Sequence, residues 1–245
     1  YSINFDLPKR NKKKIIYIVL HYTGMKKETQ AIKRLCDSKS KVSSHYFIKN
    51  NGKVLNLIPD LYTAWHAGDS KWKKFKSLNN YSIGIEISNP GHDHGYKKFS
   101  SKQILSIIKL LRFLIRKYKI KKENILGHSD IAPYRKKDPG ENFPWIKLFN
   151  SKLIYYPDKD YDLHNFNLEK WFKNKKILTR KGKILFMLSY IGYDINLSLN
   201  KNDYHYRKLI KVYCHHFYNN SKNRKKFSTK YELIKVHFIN QLLTF

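Results

Sequence analysis

Ile15-Ile16-Tyr17-Ile18-Val19-Leu20, running straight into His21-Tyr22-Thr23, is the stretch on which the fold turns. A continuous apolar run rich in β-branched residues reads as a strand covered on both faces, the kind that sits inside a sheet flanked by helices. His21 then stands at the strand's end, where a rigid scaffold presents side chains for chemistry.

Downstream, Lys27 to Cys36 places Ala31, Ile32, Leu35 and Cys36 on one helical face. His45 to Lys49, the turn Asn51-Gly52 and Val54 to Ile58 predict a β-hairpin, because Asn-Gly tolerates the positive φ of a tight turn. Ser82 to Ser88 alternates Ile83, Ile85 and Ile87 with Ser82, Gly84, Glu86 and Ser88, which predicts a strand with one apolar face and Glu86 on the other. Ser100 or Ser101 caps a helix whose Ile104, Ile107, Ile108, Leu111, Leu114 and Ile115 follow the helical repeat. Asn124 to Gly127 is a short strand delivering His128, and Pro133, Pro139, Gly140 and Pro144 predict a structured loop after it. The fold class is α/β, with a mixed central sheet flanked by helices over residues 1–150.

Residues 151–167 lack periodicity and read as a linker. Beyond it the pattern turns helical, with amphipathic stretches over Thr179 to Tyr190, Asp203 to Phe217 and Thr229 to Leu243. Residues 168–245 are therefore expected to form a small three-helix domain.

The chain has 245 residues, 50 Lys and Arg against 18 Asp and Glu, and 15% aromatic residues. So much aromatic and aliphatic material excludes a disordered chain. No run reaches the ~18 apolar residues of a membrane span; the longest candidate, Ile104 to Ile115, is broken by Lys109 and Arg112. Cys36 and Cys214 have no CxxC spacing, so any metal must be held by histidines and carboxylates. The net charge of +32 raises the question of nucleic acid. Lys, Asn, Ile and Tyr are abundant along the whole chain, however, as AT-rich codon usage dictates, and no dedicated nucleic-acid motif appears. The charge reads as general attraction to anionic surfaces such as cell-envelope polymers. The chain opens at Tyr1, which fits a processed form and an exported protein.

His21, His128 and Asp138 each fall at a strand end or on the Pro-rich loop after one. Two imidazoles and a carboxylate form a normal catalytic zinc set, although histidines at strand ends also serve as hydrogen-bonded framework. Glu86 reads as a general base or as a solvated carboxylate, and Lys136 as an oxyanion partner or one more charge in Arg135-Lys136-Lys137. His45 and His66 line a cleft or support the fold; Trp65 stacks on a sugar or closes the core. Arg135 pairs with a peptide carboxylate or with a surface acid. His92 and His94, in Gly91-His92-Asp93-His94-Gly95, are a second metal pair or a Gly-bounded polar loop.

Six blocks occur in order: His21-Tyr22-Thr23, Val42-Ser43-Ser44-His45-Tyr46, Ala64-Trp65-His66-Ala67-Gly68, Ser82-Ile83-Gly84-Ile85-Glu86, Gly127-His128-Ser129-Asp130-Ile131-Ala132-Pro133, and Arg135-Lys136-Lys137-Asp138-Pro139-Gly140. Together they resemble the zinc-dependent N-acetylmuramoyl-L-alanine amidases of the AmpD and AmiD type, a branch of the peptidoglycan-recognition-protein fold. The resemblance covers residues 14 to 149. It implies one Zn²⁺ per chain on His21, His128 and Asp138, a catalytic carboxylate at Glu86, and Lys136 facing the reacting carbonyl. Ser44, His45, Trp65, His66 and Arg135 are the expected substrate-binding residues, and peptidoglycan or muropeptide fragments the expected partners. Phage-lysozyme-like members carry Cys as third ligand and Tyr near the place of Ser44, so Asp138 and Ser44 put this chain with AmpD and AmiD.

Leu188 to Ile195 and the helix after it resemble the three-helix peptidoglycan-binding-like module of AmiD-type enzymes, which AmpD-type enzymes lack. That layout implies a periplasmic or envelope location. The rival readings are a cytoplasmic recycling enzyme restricted to anhydro-muropeptides, a noncatalytic peptidoglycan-recognition protein, and a basic nucleic-acid binder.

Overall fold

The computed structural model describes residues 1–157, 167–200, 202–218 and 227–243. Its backbone divides into two compact units: Tyr1–Lys71 with Phe75–Tyr155, and Trp72–Lys74 with Tyr156–Phe245.

The first unit is built on a five-stranded sheet of β1 (Tyr17–Tyr22), β2 (Tyr46–Ile48), β3 (Val54–Asn56), β4 (Ser82–Ile87) and β5 (Ile125–Gly127), in the order β3-β2-β4-β1-β5. Strands β2, β4, β1 and β5 run parallel, and β3 joins β2 antiparallel through the predicted hairpin, with Gly52 at φ +86° in its turn. The sheet is mixed, as the sequence predicts. In β1, Ile18, Val19 and Leu20 are wholly buried, as a continuous apolar run between two parallel neighbours requires.

The polar face of β4 departs from the expectation that alternation means exposure. Ser82 and Ser88 are buried along with the isoleucines, because His66 packs over the face at Gly84 and Gln103 of the following helix bonds Ser88 O. Its Ser and Gly positions therefore face a built interior, and half-buried Glu86 faces a cleft.

Helix α1 (Glu28–Cys36) turns Ala31 and Leu35 onto Phe47 and Leu57. Helix α2 (Ser101–Tyr118) begins at a capping box, in which Ser100 Oγ accepts from Gln103 N and Gln103 Oε1 accepts from Ser100 N. It buries Ile104, Ile107, Leu110, Leu111 and Leu114, each contributing about 1.5–3 kcal/mol of apolar burial. At its far end Lys117 and Tyr118 donate to Asp60 Oδ2, both at 2.7 Å, while Tyr46 donates to Oδ1 at 2.6 Å. After β5 comes a one-turn helix, α3 (His128–Ile131), where the sequence predicts only loop. Four residues give no periodic signal, and the turn is held by Asp130 accepting from Gly127 N at 2.7 Å. Helix α4 (Trp145–Asn150) follows. The segment after it buries Leu153 and Ile154 within the described part of the expected linker, whose residues 158–166 lie outside the described residues.

In the second unit the three expected amphipathic stretches are α6 (Arg180–Ile191), α7 (Asp203–Phe217) and α8 (Lys230–Leu243), preceded by a further helix, α5 (Leu168–Asn174). Seven residues span too few turns for periodicity to reveal α5. Its Trp171 and Phe172 join Phe186 of α6 in an aromatic cluster that also takes in Phe238 of α8. No helix among the described residues is long and apolar enough to cross a membrane.

Candidate active site

β1 carries His21 at its end, α3 opens on His128, and the loop returning from α3 brings Asp138 back over both. A backbone bond from Ser129 N to Asp138 O at 2.8 Å fixes that loop. His21 Nδ1 lies 2.9 Å from His128 Nδ1 and 3.1 Å from Asp138 Oδ2, and His128 Nδ1 lies 3.0 Å from the same oxygen. All three residues are buried, and among the described residues they are the group of His, Cys, Asp and Glu able to hold a metal ion.

Three such atoms crowd together only if something offsets their mutual repulsion. His128 Nε2 donates to Ala67 O at 3.0 Å, which leaves Nδ1 as the nitrogen aimed into the cluster. Burial lowers the His21 pKa to about 4, with repulsion from His128 adding to it and the Asp138 carboxylate opposing it. Burial pushes the Asp138 carboxyl upward, but the neighbouring His128 and His21 outweigh that and hold it well below the usual carboxylate range.

Glu86 is the register partner of His21 across the β1–β4 pairing. Its Oε2 is buried and has no hydrogen-bond partner among the described residues. Desolvation, reinforced by the Asp138 charge and opposed by Lys136, pushes its pKa up to about 8. A cleft of about 630 Å³ opens over these groups, lined by Glu86, His128, Asp138, Lys136, Trp65 and Arg135 among others.

The remaining expected substrate contacts divide. Trp65 lines the cleft with its Nε1 tied to Asp6 Oδ1 at 2.8 Å. Arg135 also lines it, but its Nη2 donates to Ala67 O and Asp69 O at 2.8 and 2.7 Å, so this nitrogen braces the loop that carries Gly68. His66 is buried yet lines the cleft, and it contacts His21, its Nδ1 lying 3.0 Å from His21 Nε2. Ser44 and His45 are wholly buried and do not line the cleft. Ser44 Oγ donates to Tyr46 O, and His45 Nδ1 accepts from Gly84 N while Nε2 meets Arg10 and Tyr62 O. They sit next to β2, on a segment paired with the sheet, which turns them inward. Burial and the Arg10 charge accordingly lower the His45 pKa to about 3.

The His92–His94 pair does not converge on a metal. His92 Nδ1 faces Tyr22 OH at 2.8 Å and Nε2 faces Glu141 at 3.0 Å, while His94 is exposed. Ser82 and Gly84, on the polar face of the 82–88 strand, lie against His66, a placement that the sequence does not reveal. The period-2 spacing of Ser82, Gly84 and Glu86 was the available signal that all three share a face.

The family profile described as N-acetylmuramoyl-L-alanine amidase matches residues 11–141. The N-acetylmuramoyl-L-alanine amidase AmiD of Escherichia coli K12 is 34% identical over 216 residues, covering 83% of this chain and 75% of AmiD. The 1,6-anhydro-N-acetylmuramyl-L-alanine amidase AmpD of Haemophilus influenzae is 35% identical over 112 residues, 45% of this chain and 59% of that protein. Among solved structures, E. coli AmiD in complex with the substrate anhydro-N-acetylmuramic acid-L-Ala-D-γ-Glu-L-Lys superposes with a TM-score of 0.76 at 28% identity, covering 96% of this chain and 93% of AmiD. AmpDh3 of Pseudomonas aeruginosa shares the fold, with a TM-score of 0.77 at 24% identity over 98% of this chain and 97% of its own.

Proposed function

The chain belongs to the N-acetylmuramoyl-L-alanine amidase family, and from that premise we propose that it is a zinc amidase. It hydrolyses the amide between the lactyl group of N-acetylmuramic acid, intact or anhydro, and the L-alanine of the stem peptide. The observation that carries the reading is the convergence of His21 Nδ1, His128 Nδ1 and Asp138 Oδ2 beside an unpartnered buried Glu86 carboxylate oxygen.

The donor set fits zinc. Two imidazole nitrogens and one carboxylate oxygen are donors that zinc takes, and here they stand 2.9–3.1 Å apart, so that His21, His128 and Asp138 would hold one ion between them. When bound, zinc supplies a Lewis acid that polarises the amide carbonyl and acidifies a water.

The protein's own groups do the rest. Glu86 takes the proton of the attacking water and returns it to the departing amine of L-alanine. Burial raises its proton affinity, which makes its ionised form the stronger base. Lys136, whose charge acts on both Glu86 and His21, stabilises the oxyanion as it forms. Trp65 and the cleft walls hold the sugar and peptide on either side.

We also propose that residues 1–150 are the catalytic domain, that residues 168–245 are a peptidoglycan-binding-like module, and that the protein works in the periplasm or cell envelope. The AmiD-like layout supports all three. Co-sedimentation of the Glu86→Gln protein with intact sacculi tests the module, and recovery of the native protein only from cytosolic fractions would overturn the location.

The direct test of the activity is a defined muropeptide digested by native, chelated and zinc-restored protein, with products identified by mass. Release of a free L-Ala-headed peptide that stops on chelation and resumes with zinc is the expected result. Muropeptide binding without release, despite stoichiometric zinc, would instead mark a recognition protein.

A further inference from the structure

We propose that His66 and Ser82 form a directed hydrogen-bond relay that fixes the tautomer of His21, so that His21 always presents the lone pair of Nδ1 to the cluster. His66 is thus a positioning residue, acting through His21. The dependence on the function proposed above is confined to the consequence for zinc.

The direction of each bond follows from its neighbour. Ser82 Oγ lies 2.5 Å from Leu78 O, and two oxygens at that distance need a proton between them, which only the hydroxyl has. That proton is then spent. His66 Nε2, 3.1 Å from the same Oγ, must therefore be the donor in its contact. Both nitrogen partners of His66 are uncharged, and a buried imidazole with no carboxylate on it stays neutral. Its Nδ1 accordingly has no hydrogen and accepts from His21 Nε2 at 3.0 Å. With its hydrogen on Nε2, His21 turns a bare Nδ1 toward His128 and Asp138.

His128 reaches the same state in one step, by donating Nε2–H to the carbonyl of Ala67. Among the described residues no carbonyl meets His21 Nε2, and two side chains serve in its place. Fixing the free ring nitrogen of a ligand histidine in this way sets both its tautomer and its orientation.

A second observation shows that the relay is built into the strand. A Cβ at Gly84 would stand 2.4 Å from His66 Cγ, and 2.6 and 2.7 Å from its Cδ2 and Nδ1. The imidazole lies directly on the glycine, and no other residue leaves room for it. Along one face of β4, Ser82 thus anchors the relay, Gly84 admits the ring and Glu86 faces the cluster, which gives a physical reason for Ser82-Ile83-Gly84-Ile85-Glu86.

The experiment reads imidazole ¹⁵N shifts of the chelated protein at pH 8 by long-range ¹H–¹⁵N correlation, together with zinc affinity by competition against a chromophoric chelator. In the native protein His21 is expected to carry its hydrogen on Nε2. In Ser82→Ala and His66→Leu the two His21 tautomers should mix, and the zinc dissociation constant should rise ~10–100-fold. His66→Gln, whose side-chain carbonyl accepts the same N–H, should recover most of the loss. A native His21 hydrogenated on Nδ1 would overturn the relay, as would a folded His66→Leu protein with unchanged tautomer and zinc affinity. Because the native tautomer is read without metal, it decides the matter even where a variant does not fold. A native protein with the expected tautomer that fails to bind zinc would sink the metal reading and leave the relay standing.

Discussion

His21 and Glu86 are direct partners in the parallel pairing of β1 with β4, so their side chains leave the sheet at one level and on one face. The proposed metal ligand and the proposed proton acceptor are thereby held at fixed separation by backbone hydrogen bonds. Strand placement of this kind is more exact than loop placement, and it lets a small change at either position be read as chemistry.

Glu86→Gln keeps the size of the side chain and removes the base. Turnover should fall on the order of 10²–10⁴-fold, the usual worth of a positioned acid–base group. Zinc content and muropeptide affinity should stay near native values. A variant retaining a tenth or more of native turnover would show that another group moves the proton.

Lys136→Met removes a charge from the cleft wall, the one proposed to stabilise the oxyanion. The expected loss is about 10²–10³-fold in kcat with KM little changed, because an oxyanion exists only in the transition state. A change confined to KM would place Lys136 in substrate binding.

Asp138→Ala deletes one of three donors and leaves His21 and His128 facing each other without a carboxylate. Bound zinc, measured by atomic absorption after gel filtration, should drop from one per chain to near zero. Native zinc content in this variant would rule Asp138 out as a ligand.

Asp60 makes a pH-dependent contribution to stability. Its burial raises the pKa, but bonds from Lys117, Tyr46 and Tyr118 prevail and hold it below the ordinary value of 3.8. A depressed folded-state pKa means stability that is fully present above about 3.8 and is lost as pH falls through the folded value. Asp60→Asn should therefore cost about 1–3 kcal/mol at pH 7 and progressively less in acid. Urea unfolding at pH 7 and pH 3 checks this, and an equal loss at both would show that charge plays no part.

Gly84→Ala must displace either His66 or the strand, given the 2.4 Å approach of the added Cβ to His66 Cγ. Overpacking of this kind costs about 1–3 kcal/mol. Thermal unfolding of the chelated protein should show the loss, and a native melting temperature would mean that the ring moves aside freely.

Much of this was legible in the sequence. The run Ile15 to Leu20 demanded a strand buried on both faces, since six apolar residues with no polar alternation have no water-facing side. The α2 repeat placed a helix start at Ser100 or Ser101, and the capping box with Gln103 settles it on Ser100. His21, His128, Glu86 and Asp138 were legible because strand ends and Pro-rich returns are where a scaffold gathers chemistry, and because six ordered blocks leave little room for coincidence.

The tertiary structure alone decided the rest. Alternation in β4 predicts that Glu86 lies opposite the isoleucines, but whether that opposite side is open water or a cleft depends on His66, His128 and Asp138 being brought over it. Ser44 and His45 look like Ser and His anywhere until pairing turns them inward. The roles of Ser82, Gly84 and His66 were hidden because hydrogen-bond direction depends on which acceptor each proton meets, and Leu78 O, Ser82 and His66 meet only once the chain has folded. A sequence states which side chains are present and on which face of an element they lie; what stands opposite that face is a property of the packed whole.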